Sequence, residues 1–131
     1  LINLSYLTCN QNALTALDVS GLTNLVSLNC SENNISALNV SGLNNLLNLF
    51  CFNNQILSLD LSDCFSLIQF DASNNQLLEL FMKNGVSEDF YFSGNPILLF
   101  ICTDDMEQIA VQNSVNGLDY NNCQVNSYCS F

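Results

Sequence analysis

Leu25-Val26-Ser27-Leu28-Asn29-Cys30-Ser31-Glu32-Asn33-Asn34-Ile35-Ser36-Ala37-Leu38-Asn39-Val40-Ser41-Gly42-Leu43-Asn44-Asn45 decides the fold, because the chain on either side repeats it. Shifted by 21 residues, the sequence aligns with itself. Leu4, Leu25, Leu46 and Leu67 form one column; Leu7, Leu28, Leu49 and Phe70 form the next. Cys9, Cys30, Cys51 and Ala72 follow, then Asn12, Asn33, Asn54 and Asn75. The second half is as regular: Leu14, Ile35, Ile56, Leu77; Leu17, Leu38, Leu59, Leu80; Val19, Val40, Leu61, Met82. Each turn therefore contains two near-copies, L-x-x-L-x-C and L-x-x-L-x-V, half a turn apart. A fixed period of this length is the mark of a solenoid.

The columns carry the physics. One 21-residue turn cannot enclose a core of its own, whereas stacked turns place like on like about 4.7–4.9 Å apart if neighbouring strands pair. Leu over Leu and Cys over Cys then fill a narrow continuous interior. Asn12, Asn33, Asn54, Asn75 and, after a turn one residue shorter, Asn95 form a column whose amides can satisfy backbone groups at a bend that no strand ladder reaches. The short fifth turn runs through Phe90, Phe92, Asn95, Ile97, Phe100 and Cys102, and its aromatics suggest a core widening toward a cap. Leu1 is in phase with Leu22, so upstream repeats are expected.

After Cys102 the period stops. Asp104 followed by Glu107 looks like a capping box, and Met106, Ile109 and Ala110 have helical spacing. A short helix is expected over roughly residues 105–113, within a cap of residues 103–131 that runs into a linker. Residues 1–102 are the repeats: four full turns and a degenerate fifth. Among seven cysteines, Cys9, Cys30, Cys51 and Cys64 occupy inward apolar slots and read as free buried thiols. Cys102, Cys123 and Cys129 have no such slot. A Cys102–Cys123 bridge would tie the cap to the solenoid, with Cys102–Cys129 as the alternative. Either requires an oxidising compartment.

The turn L-x-x-L-x-C-x-x-N-x-L-x-x-L-x-V-S-G-L-x-x resembles the leucine-rich-repeat signature, with Cys in one Leu slot. Its nested halves are similar to the short bacterial repeats in which both limbs of the coil are extended. The resemblance implies a right-handed coil with parallel strands on the concave face, a mostly extended convex limb, and a small cap containing a helix. The segment from Asn95 to Cys102, with the tail from Cys123 to Phe131, resembles the end of repeat arrays in secreted proteins of the Bacteroidetes. That likeness implies further domains and a sorting signal downstream. It carries over no catalytic residue.

Composition narrows the function. Twelve acids face a single cation, Lys83, for a net charge of −11. Nucleic acid and anionic membranes need Lys and Arg, so neither is an expected partner. No run of 18 apolar residues suggests a membrane span. Without His there is no Ser-His or Cys-His nucleophile pair. Asp71 and Asp89 lie diagonally on adjacent strands, about 7 Å apart by strand geometry, a spacing glycosidases use, but twelve acids on a small surface make such a pair by chance. Asp18 and Asp60 are two turns apart, too far to share a calcium ion. Asp104 and Asp105 are better suited to a helix N-terminus than to calcium. No enzyme, cofactor or metal is expected.

Binding would fall to the outward strand positions. Most are small and polar, and flat Thr ranks of the ice-binding kind are missing. Phe50, Phe52 and Tyr91 stand out because outward aromatics have no core reason. With Asn48, Gln69 and Asp71 beside them they form a candidate patch for a protein or a carbohydrate. The expected function is a non-enzymatic adhesion or binding module of a secreted or cell-surface protein. The alternative is a structural spacer or stalk. Asn-x-Ser sequons at Asn3, Asn34 and Asn39 matter only in a eukaryotic source.

Overall fold

The structure, a computed structural model, describes residues 2–130; the phase of Leu1 with Leu22 lies outside them. In chain order the elements are β1 (Tyr6–Thr8), β2 (Ser27–Asn29), β3 (Asn48–Phe50), β4 (Ser58–Asp60), β5 (Gln69–Asp71), β6 (Glu79–Phe81), β7 (Asp89–Tyr91), β8 (Phe100–Cys102), α1 (Gln108–Gly117) and β9 (Gln124–Asn126). They form two parallel sheets, β1-β2-β3-β5-β7 and β4-β6-β8-β9. The chain is thus a solenoid of about six turns with one short helix near its C-terminus. Each sheet carries one of the nested half-repeats.

Register follows the columns. Leu7, Leu28, Leu49, Phe70 and Phe90 stand opposite one another across the first sheet. Leu59, Leu80, Ile101 and Val125 do so across the second. These side chains point inward, and Leu28, Leu49, Leu59, Phe70, Leu80 and Ile101 are fully buried. In the first two turns, residues 16–18 and 37–39, equivalent to β4, carry no strand, so the second sheet begins two turns later than its sequence columns.

Bends join the limbs, and there the amide column does its work. Asn54 Oδ1 accepts the Ile35 N–H at 2.9 Å, and its Nδ2 donates to the carbonyls of Cys30 and Cys51 at 3.0 and 3.1 Å. Asn33, Asn75 and Asn95 repeat this pattern, each reaching one turn back as well as into its own bend. Just before the amide, Gln11, Glu32, Asn53, Asn74 and Gly94 all have positive φ. Only the last is glycine, and a Cβ there would lie 2.0 Å from Asn74 Oδ1.

The cap departs from expectation in three ways. First, coiling does not stop after Cys102. β9 pairs with β8, Phe100 opposite Gln124, so residues 103–123 make a sixth turn with α1 in place of its first strand. Second, α1 begins at Gln108, and Glu107 caps it without a side-chain hydrogen bond. The acids expected to form a capping box reach back to the preceding bend. Asp104 Oδ2 accepts the N–H groups of Asn84 and Gly85 at 3.0 and 2.9 Å, and Glu107 Oε1 accepts the N–H of Glu88 at 3.1 Å. Those bend amides face the next turn and need acceptors, as Gly42 N–H does from Asp63 one turn on, at 3.0 Å. That demand outweighs a solvent-exposed helix start. Third, the bridge joins Cys102 to Cys129, not to Cys123. Cys123 precedes β9, packs against the core and stays a free thiol. Cys129 follows β9, and its N–H bonds to Asn126 Oδ1 at 2.9 Å, within a turn that brings its Cα 4.9 Å from that of Cys102.

Candidate functional site

The strand face sets the geometry of the candidate patch. Asn48 and Gln69 are opposite one another on β3 and β5. Phe50, Asp71 and Tyr91 form the next column across β3, β5 and β7. Phe50 and Tyr91 are therefore about 10 Å apart at the backbone, with an acid between them. Tyr91 is 50% exposed, whereas Phe50 and Phe52 are half-buried. Phe52 lies two residues beyond Phe50, where the chain leaves β3, so the structure brings five of the six candidates into two adjacent columns and sets Phe52 at their rim. No ring contact joins Phe50 to Phe52 among the described residues.

Part of this polar surface is already committed to the fold. Asp71 Oδ1 accepts the Ser73 N–H at 2.9 Å, which leaves Oδ2 as its outward acceptor. Asn29, Asp18, Asn39 and Asp60 make the same bond to the residue two ahead. The Asp18–Asn39–Asp60 column is thus a row of bend acceptors. Among the described residues no group of three or more His, Cys, Asp or Glu is placed to hold a metal ion.

Cys9, Cys30 and Cys51 stack as a ladder of free thiols. Burial pushes the Cys30 thiol up to about 12, with its neighbour Cys9 adding to the effect, and raises the Cys51 thiol well above its ordinary value. Protonated, buried sulfur is a small hydrophobe and not a nucleophile. Cys64 behaves alike, pushed up to about 12 by burial and then by Asp63.

Sequence reasoning missed two features of this end of the molecule. One is a cleft of about 390 Å³ between β7 and α1, lined by Phe90, Tyr91, Phe92, Ser93, Ser114, Gly117 and Leu118. Tyr91 therefore belongs both to the patch and to the cleft. The Phe90-Tyr91-Phe92 run was its one visible signal. The other is a buried acid group at the cap. Glu88, 6% exposed, fills the place of the inward leucines, and its Oε2 has no hydrogen-bond partner among the described residues. Desolvation, then Glu107, pushes its carboxyl up to about 8, so it carries a proton at neutral pH.

Parallel strands at a 21-residue step, an inward Leu/Cys interior and an asparagine column at the bend define a leucine-rich-repeat solenoid. The solved structure described as the functional domain of InlJ from Listeria monocytogenes, which includes a cysteine ladder, is similar to this chain with a TM-score of 0.67 and 24% identity. The match covers 76% of this chain and 26% of that one, so this chain spans about a quarter of its neighbour's length. No protein-family model and no curated protein matches the chain. No helix among the described residues is long and apolar enough to cross a membrane.

Proposed function

We propose that this chain is a non-enzymatic binding module of a secreted or surface-attached bacterial protein, with further domains beside it, that takes a protein or a carbohydrate on its five-stranded face. The observation that carries the reading is the Phe50–Asp71–Tyr91 column beside Asn48 and Gln69. Aromatics held on a rigid sheet with acceptors between them provide apolar contact at small entropic cost. The Cys102–Cys129 bridge favours an oxidising compartment. The strong negative charge favours basic or neutral partners.

A glycan array and a pull-down against host proteins, with wild type and a Phe50→Ala/Phe52→Ala variant, test this. Loss of a partner in the variant, with unchanged unfolding, supports the patch. Retention of every partner removes it. The second reading, a rigid spacer, draws on the outward Asn and Asp side chains already used by their own bends. Under that reading, neither assay yields a saturable partner.

A further inference from the structure

We propose that the open edge of β7 accepts an extended, basic-to-neutral peptide as an added strand, laid in the cleft between β7 and α1. This site shares Tyr91 with the strand-face patch but does not need Phe50 or Phe52.

Main-chain accounting carries the inference. At each earlier step, one turn offers a fixed set of groups to the next. From the β5 turn, Ile68 C=O accepts the Asp89 N–H at 2.9 Å, Ala72 N–H donates to Tyr91 at 2.8 Å, and Asn74 N–H donates to Ser93 at 2.7 Å. Phe70, opposite Phe90, uses both its groups between these. In the β7 turn the same set is Glu88 C=O, both groups of Phe90, and the N–H groups of Phe92 and Gly94. None of these has a hydrogen-bond partner among the described residues. The next strand is missing because α1, which satisfies its own backbone, stands in its place. An unpaired row of this kind is a template for strand addition.

Elsewhere in the same turn the cap does close the ladder. Tyr120 Oη donates to Phe92 C=O at 3.3 Å, as the amide of a sixth asparagine would, and accepts the Asn95 N–H at 3.0 Å, a bond that earlier turns give to a backbone carbonyl of the next bend. The bend is thus sealed while the strand edge stays open. The cleft beside it has room for a short segment. Its α1 wall is kept low by Ser114 and Gly117, one helical turn apart, and its floor is apolar through Phe90, Phe92 and Leu118. Asp89 and Asp71 flank it on the outward face, and the chain has a single cation. The occupant is therefore an extended peptide with an apolar residue facing the floor and Lys or Arg beside it.

The probe is a synthetic peptide of residues 67–75 carrying Asp71→Lys, a surrogate for the absent strand. On its addition, exchange of the Phe90 and Phe92 amide protons should slow at least about tenfold, with Leu28 and Leu49 unchanged, since they already sit in the ladder. Peptide N-methylated at alternate residues should fail to bind. Gly117→Trp, which fills the cleft, should weaken binding at least about tenfold with an unchanged urea midpoint. The peptide with native Asp71 should bind more weakly, the gap closing in about 0.5 M salt. The proposal is overturned if the two amides are already protected in the free protein, if the N-methylated peptide binds equally well, or if no peptide binds. It is overturned as well if binding is lost in Phe50→Ala/Phe52→Ala, which would place the peptide on the strand face.

Discussion

The interior turns and the sixth turn face the same backbone demands and meet them by different means. Between residues 25 and 80 the bend that follows each strand of the first sheet is closed by one repeated device, an asparagine that bridges two turns. In residues 103–126 the repeats are gone, and single substitutes take over. Tyr120 makes the inter-turn donation that an asparagine amide would, Asp104 and Glu107 supply acceptors to a shortened bend, and a disulfide holds the end. Repetition places each satisfied group between two identical neighbours. The cap has a neighbour on one side only, so its contacts are individually irreplaceable and collectively weaker.

The largest expected effect lies in the interior. Asn54→Ala strands the Ile35 N–H and weakens the bonding of two buried carbonyls, which should cost about 4 kcal/mol at roughly 1–3 kcal/mol per stranded group. Asn12→Ala is the control. Asn12 is exposed and its side chain, among the described residues, bonds only to the carbonyls of Cys9 and Asn10, so the same substitution should cost under about 1 kcal/mol. Urea midpoints for both variants test the difference. Equal losses would mean that inter-turn bridging is not what the column does.

Next comes the bridge. Cys129→Ser opens a loop of 27 residues between Cys102 and position 129 and should lower stability by about 3 kcal/mol. Cys123→Ser should have a much smaller effect, since Cys123 is a free thiol. A thiol assay on unreduced, denatured protein should find five free groups. Seven would remove the bridge.

The acid group at the cap gives a pH dependence with a definite sign. Glu88 binds its proton more tightly folded than unfolded, because burial and Glu107 lift its carboxyl from 4.5 to about 8. Its contribution is full below about pH 4.5 and is lost as pH rises toward 8, where a charge must sit in a place built for leucine. Glu107, raised by burial, adds in the same direction. Stability should therefore fall by on the order of 2 kcal/mol between about pH 5 and 8.5, and Glu88→Gln should flatten the profile. A stability that rises over that window would show that the group does not hold its proton.

How much of this could be read from the sequence depends on the period. Wherever 21 residues separate equivalents, one column gives register, burial and side-chain direction together. Leu28, Cys30, Asn33 and the Phe50–Asp71–Tyr91 column follow from counting alone. The cap has no period, so local patterns had to serve, and they misled. Asp104 and Glu107 match a capping box, but the amides of Asn84, Gly85 and Glu88 hold them. Cys123 is nearer in sequence to Cys102 than Cys129 is, yet it lies before β9, where it turns into the core. The cleft depends on where α1 rests against β7, which no repeat column specifies.

The smallest effect is also the one that most sharpens the contrast. Tyr120→Phe removes a single hydroxyl that serves the Asn95 N–H and the Phe92 carbonyl. Tyr120 is only half-buried, so water can replace part of what is lost, and the cost should be about 1 kcal/mol. Its ring still packs beside Phe92, with centroids 6.5 Å apart. Tyr120→Asn restores the chemical group of the column yet should be worse than Tyr120→Phe. Asparagine in a loop 25 residues past Asn95 is too short to span the distance the phenol covers, and it forfeits the ring contact as well. Faster exchange of the Asn95 amide in both variants, with the amide of Ile35 unaffected, would show that the phenol ends the ladder. An Asn variant as stable as wild type would show that the cap is one more repeat in disguise.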